Sequence, residues 1–168
     1  MSRAYDLRAY NPSSFDDYFC LKPPLLLWLA ALYLSRAITI PVAMEVGSFT
    51  GMSDDATGLL RGLTSIKEIF PSILAAVVLY TLCRRVPSAS SPVRWIWARG
   101  RSFIAAAALL DIALAAGSLD WRSVMNGQAG WPLVSTGLDL FCLAYVLLAR
   151  RVRDAFSDFP SPLEAESK

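Results

Sequence analysis

Long apolar runs constrain this chain more than any other feature of its sequence. Residues 23–44 contain a single charged residue, and 22 residues form a helix of about 33 Å, which is long enough to cross the hydrocarbon core of a membrane. Two further runs of similar character follow. A shorter one reaches about 19 residues if its helix begins at Ser65, which has the S-x-x-E capping-box spacing with Glu68. The sequence therefore predicts an all-α protein, a four-helix transmembrane bundle with spans over about 23–44, 65–83, 102–119 and 131–149.

The composition agrees with a membrane protein and excludes several classes of site. Hydrophobic residues make up 55% of the chain and charged residues 18%, against about 25% charged in soluble domains. The net charge of +2 is too balanced for a nucleic-acid binder. With no histidine, a Ser-His-Asp triad and an HExxH zinc site are excluded. The three cysteines lie too far apart for a zinc pattern, and we expect them to be reduced thiols. Because the sequence has no Walker loop, GxGxxG or GxSxG motif, we also expect no metal, no cofactor and no catalytic residue.

The distribution of basic residues indicates the orientation. Twelve of the 16 Lys and Arg residues lie in the N-terminal segment, the middle loop and the C-terminal segment, and the positive-inside rule assigns these to the cytoplasm. Both termini are then cytoplasmic. Residues 1–22 form an interfacial segment, and residues 150–168 form a basic segment with a disordered tail from residue 154. The third helix is expected to begin near Ser91 and to enter the bilayer near Ser102.

Three charged residues within the predicted spans form the main candidate site. Arg36, Asp111 and Asp139 each lie about 15–18 Å along a helix from its inner end, so they can meet near one level. Ser135 and Thr136 share the helix face of Asp139. Because a charge at this depth costs about 2.5–3.5 kcal/mol, it needs a partner or a function. Two interpretations stay open. One is a structural salt bridge, with the second aspartate protonated or hydrogen-bonded; the other is a proton- or ion-coupled site.

A basic aromatic run after the second span forms a weaker candidate. Such a run is typical of an ordinary interfacial anchor, and it also suits contact with anionic lipid headgroups. Its members are Arg94, Trp95, Trp97, Arg99 and Arg101.

Two stretches of the chain resemble a known family. They are the run DYFCLKPPLLLWL at residues 17–29, continued by YLSR at residues 33–36, and VRWIW at residues 93–97 with Gly100 and Arg101. These runs are similar to the YfeZ-like family of small bacterial inner-membrane proteins, a domain of unknown function, over about residues 15–150. The resemblance implies a multi-pass protein of the bacterial inner (plasma) membrane, and it supplies no activity and no catalytic residue.

Three classes of function fit the sequence. The first is a non-catalytic membrane subunit or scaffold, embedded in the lipid bilayer, which packs against a larger membrane protein or self-associates. The alternative is a small proton- or ion-coupled carrier or channel that uses Arg36, Asp111 and Asp139. A membrane enzyme acting on lipid would need the two aspartates as acid and base, and nothing else in the sequence supports that chemistry.

Overall fold

A computed structural model describes residues 10–18, 20–49, 66–118, 126 and 130–160. Within these residues the chain is all-helical, as predicted, with 3₁₀ turns at Pro12–Ser14 and Ile66–Glu68. The six α-helices are α1 (Leu25–Leu34), α2 (Arg36–Phe49), α3 (Ile69–Cys83), α4 (Ser91–Ser118), α5 (Gly130–Leu148) and α6 (Arg150–Ser157).

By length and composition, two or three of the described helical units can cross a membrane, where the sequence predicted four. Helices α4 and α5 are each long and apolar enough, and the bent pair α1–α2 qualifies when it is taken together. Helix α3 has only 15 residues, and the proposed start at Ser65 lies outside the described residues. Helix α4 begins at Ser91, where its start was predicted.

The first predicted span is broken into two helices. Helix α1 ends at Leu34, α2 begins at Arg36, and their axes differ by 86°. The Ser72 hydroxyl of α3 donates to the Leu34 carbonyl at 3.0 Å and accepts from the Ala37 amide at 3.3 Å. These bonds satisfy backbone groups that the break would otherwise leave unpaired. Pro41 lies inside α2 and past the bend.

Helix α4 is the central helix of the bundle. It packs against α3 and α5, while α1 packs mainly on α3 and α6 packs on α4. Small residues at these contacts allow the helices to approach closely, as in other membrane bundles. The three cysteines are reduced thiols, as predicted. The core cluster includes Leu27, Ala31, Leu34, Ala75, Val78, Trp97, Ile104, Ala107, Ala108, Cys142 and Val146.

The N- and C-terminal segments pack together at the end of the bundle where α3 ends and α4 begins. We call this the closed end, and Arg85 is at its centre. The Arg85 guanidinium lies 3.4 Å from the Asp16 carboxylate and donates to the Leu21 and Asp158 carbonyls at 3.0 and 3.1 Å. The Leu21 amide donates to the Asp158 carboxylate at 2.8 Å. The N-terminal segment is thus held by protein contacts where the sequence predicted only an interfacial segment.

Helix α6 lies where the sequence predicted the start of a disordered tail. Its apolar side chains Val152, Ala155 and Phe156 fall on one face and are buried. The Phe156 ring lies directly against Gly100 of α4, where a Cβ would overlap it, and it packs on Trp97 with 4.9 Å between ring centroids. This one-sided burial explains why a short, highly charged segment remains helical.

Candidate functional site: a buried charge cluster

Arg36 is the centre of the candidate site. It is the first residue of α2 and is only 7% exposed. Its Nη1 atom lies 2.8 Å from Asp111 Oδ2 and 3.8 Å from Asp139 Oδ1, and its Nε atom lies 3.2 Å from Glu68 Oε2. The structure therefore brings together the three charged residues that the sequence singled out, and it adds Glu68. We call these four residues the charge cluster.

The charge cluster lies at the level where the number of helices that run along the bundle axis changes. Helix α1 ends just before Arg36, α2 turns away by 86°, and α3 begins just after Glu68. Of the helices in the described part of the chain, α4 and α5 continue past this level, by about 10 Å beyond Asp111 and about 14 Å beyond Asp139. Among the described residues, the end of the bundle beyond the cluster is therefore less filled than the end towards Arg85, where the apolar core lies.

A small cavity adjoins the charge cluster on this less filled side. Its volume is about 200 Å³. Besides the four cluster residues it is lined by Lys67, Leu114, Ala115, Trp131, Pro132 and Ser135. The carboxylates therefore border a space that is large enough for a few water molecules or a small cationic group. We call this space the polar cavity, because charged side chains form one of its walls.

Negative charge exceeds positive charge in the charge cluster. Among the described residues, it combines one guanidinium with three carboxylates. Asp139 makes the longest of the three ion pairs with Arg36; it is 1% exposed, and its Oδ1 atom accepts no hydrogen bond from any described residue. The guanidinium also lies over the Tyr33 ring, 4.7 Å from its centroid, a favourable cation–π geometry. Arg36 is thus shared among several partners, and Asp139 is the carboxylate that gains least from it.

The two predicted hydroxyl residues do not bond to the carboxylates. Ser135 and Thr136 donate to the Pro132 carbonyl of their own helix at 3.1 and 2.8 Å. Ser135 lines the cavity, and its own carbonyl accepts from the Tyr33 hydroxyl at 3.0 Å. Thr136 is not among the residues that line the cavity. Tyr33, which was not predicted as a site residue, links α1 to α5 through this bond.

An apolar groove adjoins the charge cluster on its other side, between α1 and α2. Its volume is about 610 Å³. Arg36 and Trp131 border both this groove and the polar cavity. The other residues that line the groove are Leu29, Leu32, Tyr33, Thr39, Ile40 and Ala43.

The five residues of the basic aromatic run do not form one lipid-facing surface. Trp97 is 1% exposed and belongs to the core. Arg94 and Arg101 donate hydrogen bonds to backbone carbonyls of the preceding turn and of the end of α5. Arg99 and Trp95 are exposed and pack on each other, with the guanidinium 4.4 Å from the ring centroid. Of the five residues that the sequence predicts to contact lipid, Arg99 and Trp95 are the two that form an exposed pair.

Comparison with family models gives one finding. A model described as "Protein of unknown function (DUF2919)" matches residues 10–158, which include the charge cluster, the groove and the closed end. The expectation that the chain belongs to a family of unknown function is confirmed at this level. Comparisons with curated proteins and with solved structures gave no significant match.

Proposed function

The chain belongs to the DUF2919 family, whose description assigns no activity, and we propose that it is a small proton- or cation-coupled membrane carrier. One observation carries this proposal: three carboxylates share one guanidinium beside a polar cavity, inside an otherwise apolar helical bundle. Intramembrane ionisable residues of this kind mark ion and proton pathways. The proposal replaces the scaffold as the favoured function, and it includes no enzymatic activity, cofactor or nucleic-acid partner.

The proposal includes four membrane crossings with both termini in the cytoplasm, in the inner membrane of a bacterium. The basic residues support it, because most lie in segments that the closed end brings together. The contact between the Leu21 amide and the Asp158 carboxylate supports an even number of crossings, since it joins the segment before α1 to the segment after α5. On this topology the polar cavity lies on the outer side of the charge cluster.

The charge balance supports binding of a cation or a proton. With a formal excess of two carboxylates, the charge cluster is most stable when at least one carboxylate is protonated or paired with a bound cation. Asp139 is the best candidate because its Oδ1 atom is 3.8 Å from the nearest guanidinium nitrogen, whereas Asp111 has a 2.8 Å contact. Arg36 then holds the remaining carboxylates in place while Asp139 exchanges its proton or cation with the cavity.

Ion flux into liposomes tests the carrier. We would reconstitute the purified chain, impose gradients of H⁺, Na⁺ or K⁺ in turn, and follow each ion with an entrapped indicator dye. We expect flux of at least one ion above that of protein-free liposomes, and its loss in Asp139→Asn. Asp17→Asn is the matched control, because Asp17 is an exposed carboxylate near the closed end, and it should keep the wild-type rate. Wild-type flux equal to that of empty liposomes, or full flux in Asp139→Asn, would contradict the proposal.

A non-catalytic membrane subunit or scaffold remains the second candidate. The packed core between the charge cluster and the closed end favours it, because no opening through this half is needed for a purely structural role. In-cell crosslinking, followed by purification in mild detergent and mass spectrometry, would test it. One stoichiometric membrane partner, lost when the outer surface of α5 is altered, would support the subunit; a lone monomer or homo-oligomer would count against it.

A further inference from the structure

The polar cavity and the apolar groove meet at the same two side chains. Arg36 and Trp131 line both spaces, so a ligand that occupies one lies within reach of the other. Together they join a polar space of about 200 Å³ to an apolar one of about 610 Å³, and the larger lies within the range of ordinary ligand pockets. A single molecule with a polar head and an apolar body would fit this shape.

The charge of the polar cavity selects the sign of the head. The charge cluster carries a formal excess of two negative charges, and the exposed Lys67 at the cavity reduces this excess to one. Asp139 lines the cavity while it is 1% exposed, and its Oδ1 atom accepts no hydrogen bond from the residues that the structure describes. A buried carboxylate with this little compensation favours a positively charged neighbour and disfavours an anion.

The groove is suited to bind the apolar part of such a molecule, and its boundary with the polar cavity is suited to bind a cation. Aliphatic and aromatic side chains of α1 and α2 supply almost all of its surface, including Leu29, Leu32 and Ile40. Trp131 lines both the groove and the cavity, and aromatic rings attract ammonium groups.

We propose that the substrate of this carrier is an amphiphilic organic cation, with its ammonium group in the polar cavity beside Asp139 and its apolar tail in the groove between α1 and α2. This inference rests on the proposed carrier function and names its substrate class. The head replaces a proton as the partner of Asp139, so binding of the substrate and of the proton exclude each other. That exclusion is the coupling which an exchange of protons for substrate requires.

Binding of matched small probes to the chain in lipid nanodiscs tests the inference. Hexyltrimethylammonium supplies head and tail, tetramethylammonium the head alone, and hexyl sulfate the same tail with an anionic head. Affinity is measured by calorimetry against empty nanodiscs. We expect hexyltrimethylammonium to bind at least tenfold more tightly than either other probe. Lowering the pH should weaken its binding, because protons compete for the carboxylate.

Two variants separate the head site from the tail site. Asp139→Asn should weaken binding of hexyltrimethylammonium at least tenfold. Ala43→Trp, which fills the groove, should reduce its affinity to that of tetramethylammonium, and Asp17→Asn should leave binding unchanged. Size-exclusion profiles and helical circular dichroism must match the wild type in each variant.

The results distinguish this inference from the carrier function. Ion flux in liposomes without binding of hexyltrimethylammonium would overturn the substrate class and leave the carrier standing. Equal affinity for hexyl sulfate, or unchanged affinity in both variants, would reveal partitioning into lipid and would also overturn it. Absence of both flux and binding would overturn the carrier as well.

Discussion

Two isosteric substitutions in the charge cluster should have very different effects on stability. In Asp111→Asn, Arg36 loses its shortest contact, the one of 2.8 Å. Removing one partner of a buried pair costs about 3–5 kcal/mol when the other charge is left uncompensated. Because Glu68 and Asp139 still face the guanidinium, we expect the lower limit, a loss of about 3 kcal/mol in the free energy of unfolding.

Asp139→Asn should be far less costly. Its 3.8 Å contact with Arg36 is weaker than that of Asp111, because Coulomb attraction falls with distance. The substitution also removes a buried negative charge from a cluster that has an excess of them, which relieves repulsion between carboxylates. These two effects oppose each other, and we expect a net change below about 1 kcal/mol, compared with the 3–5 kcal/mol typical of a broken pair.

Equilibrium unfolding in mixed detergent micelles, followed by circular dichroism, measures both variants under one condition. Asp17→Asn serves as the control for a change of one charge at an exposed position. A loss in Asp139→Asn equal to or larger than that in Asp111→Asn would refute the reasoning, because it would make Asp139 an obligatory structural partner of Arg36. Near-wild-type stability would also ensure that a loss of flux in Asp139→Asn is a loss of function.

Three further substitutions test the contacts that hold the fold. Ser72→Ala should lower the free energy of unfolding by about 1–3 kcal/mol in the same titration, because two backbone groups at the helix break lose their partner; an unchanged value would mean that the break does not depend on this hydroxyl. Gly100→Ala should cost about 1–3 kcal/mol by overpacking, and Phe156→Leu in the same chain should recover most of it. Failure of this rescue would show that α6 does not dock as described. Arg85→Met should favour opening of the terminal segments by about 1–3 kcal/mol, seen as faster proteolysis within residues 10–22, and an unchanged cleavage rate would contradict the role of this guanidinium.

The relative level of the charged residues along the bundle could be predicted from the sequence by counting. Helices α4 and α5 run without interruption through Asp111 and Asp139, so a rise of 1.5 Å per residue places the two residues at similar levels. Arg36 follows a short regular helix, α1, and the count holds there too. The regular rise of these helices therefore predicts that the side chains of Arg36, Asp111 and Asp139 approach one another.

The break between α1 and α2 was not predictable in the same way. The local sequence has one helix breaker, Pro41, and it lies past the bend. The bend itself is stabilised by Ser72, which belongs to another helix. Because this is a tertiary contact, no local pattern around residue 35 could reveal it.

Glu68 completes the capping-box spacing with Ser65, and the sequence pattern therefore favoured a capping role. A count back from Arg84 gives a level of about 24 Å along α3. That level is about 6–9 Å beyond those of the other three charged residues, and the long side chains of glutamate and arginine bridge the difference. Similarly, the i, i+3 and i+4 spacing of Val152, Ala155 and Phe156 indicated an amphipathic helix in a segment judged by its charges alone.

The short length of α3 has a consequence for the lipid around it. Fifteen residues span about 22 Å, whereas the hydrocarbon core of a typical bilayer is about 30 Å thick. On the proposed four-crossing topology, the bilayer would thin beside α3 or the helix would lie off-centre, at a cost of fractions of a kcal/mol for each ångström of mismatch. Since Glu68 and Arg36 lie at one end of this helix, membrane thickness would then govern how much hydrocarbon separates them from water. Lipid chain length would thus change the environment of these ionisable groups without any substitution in the protein.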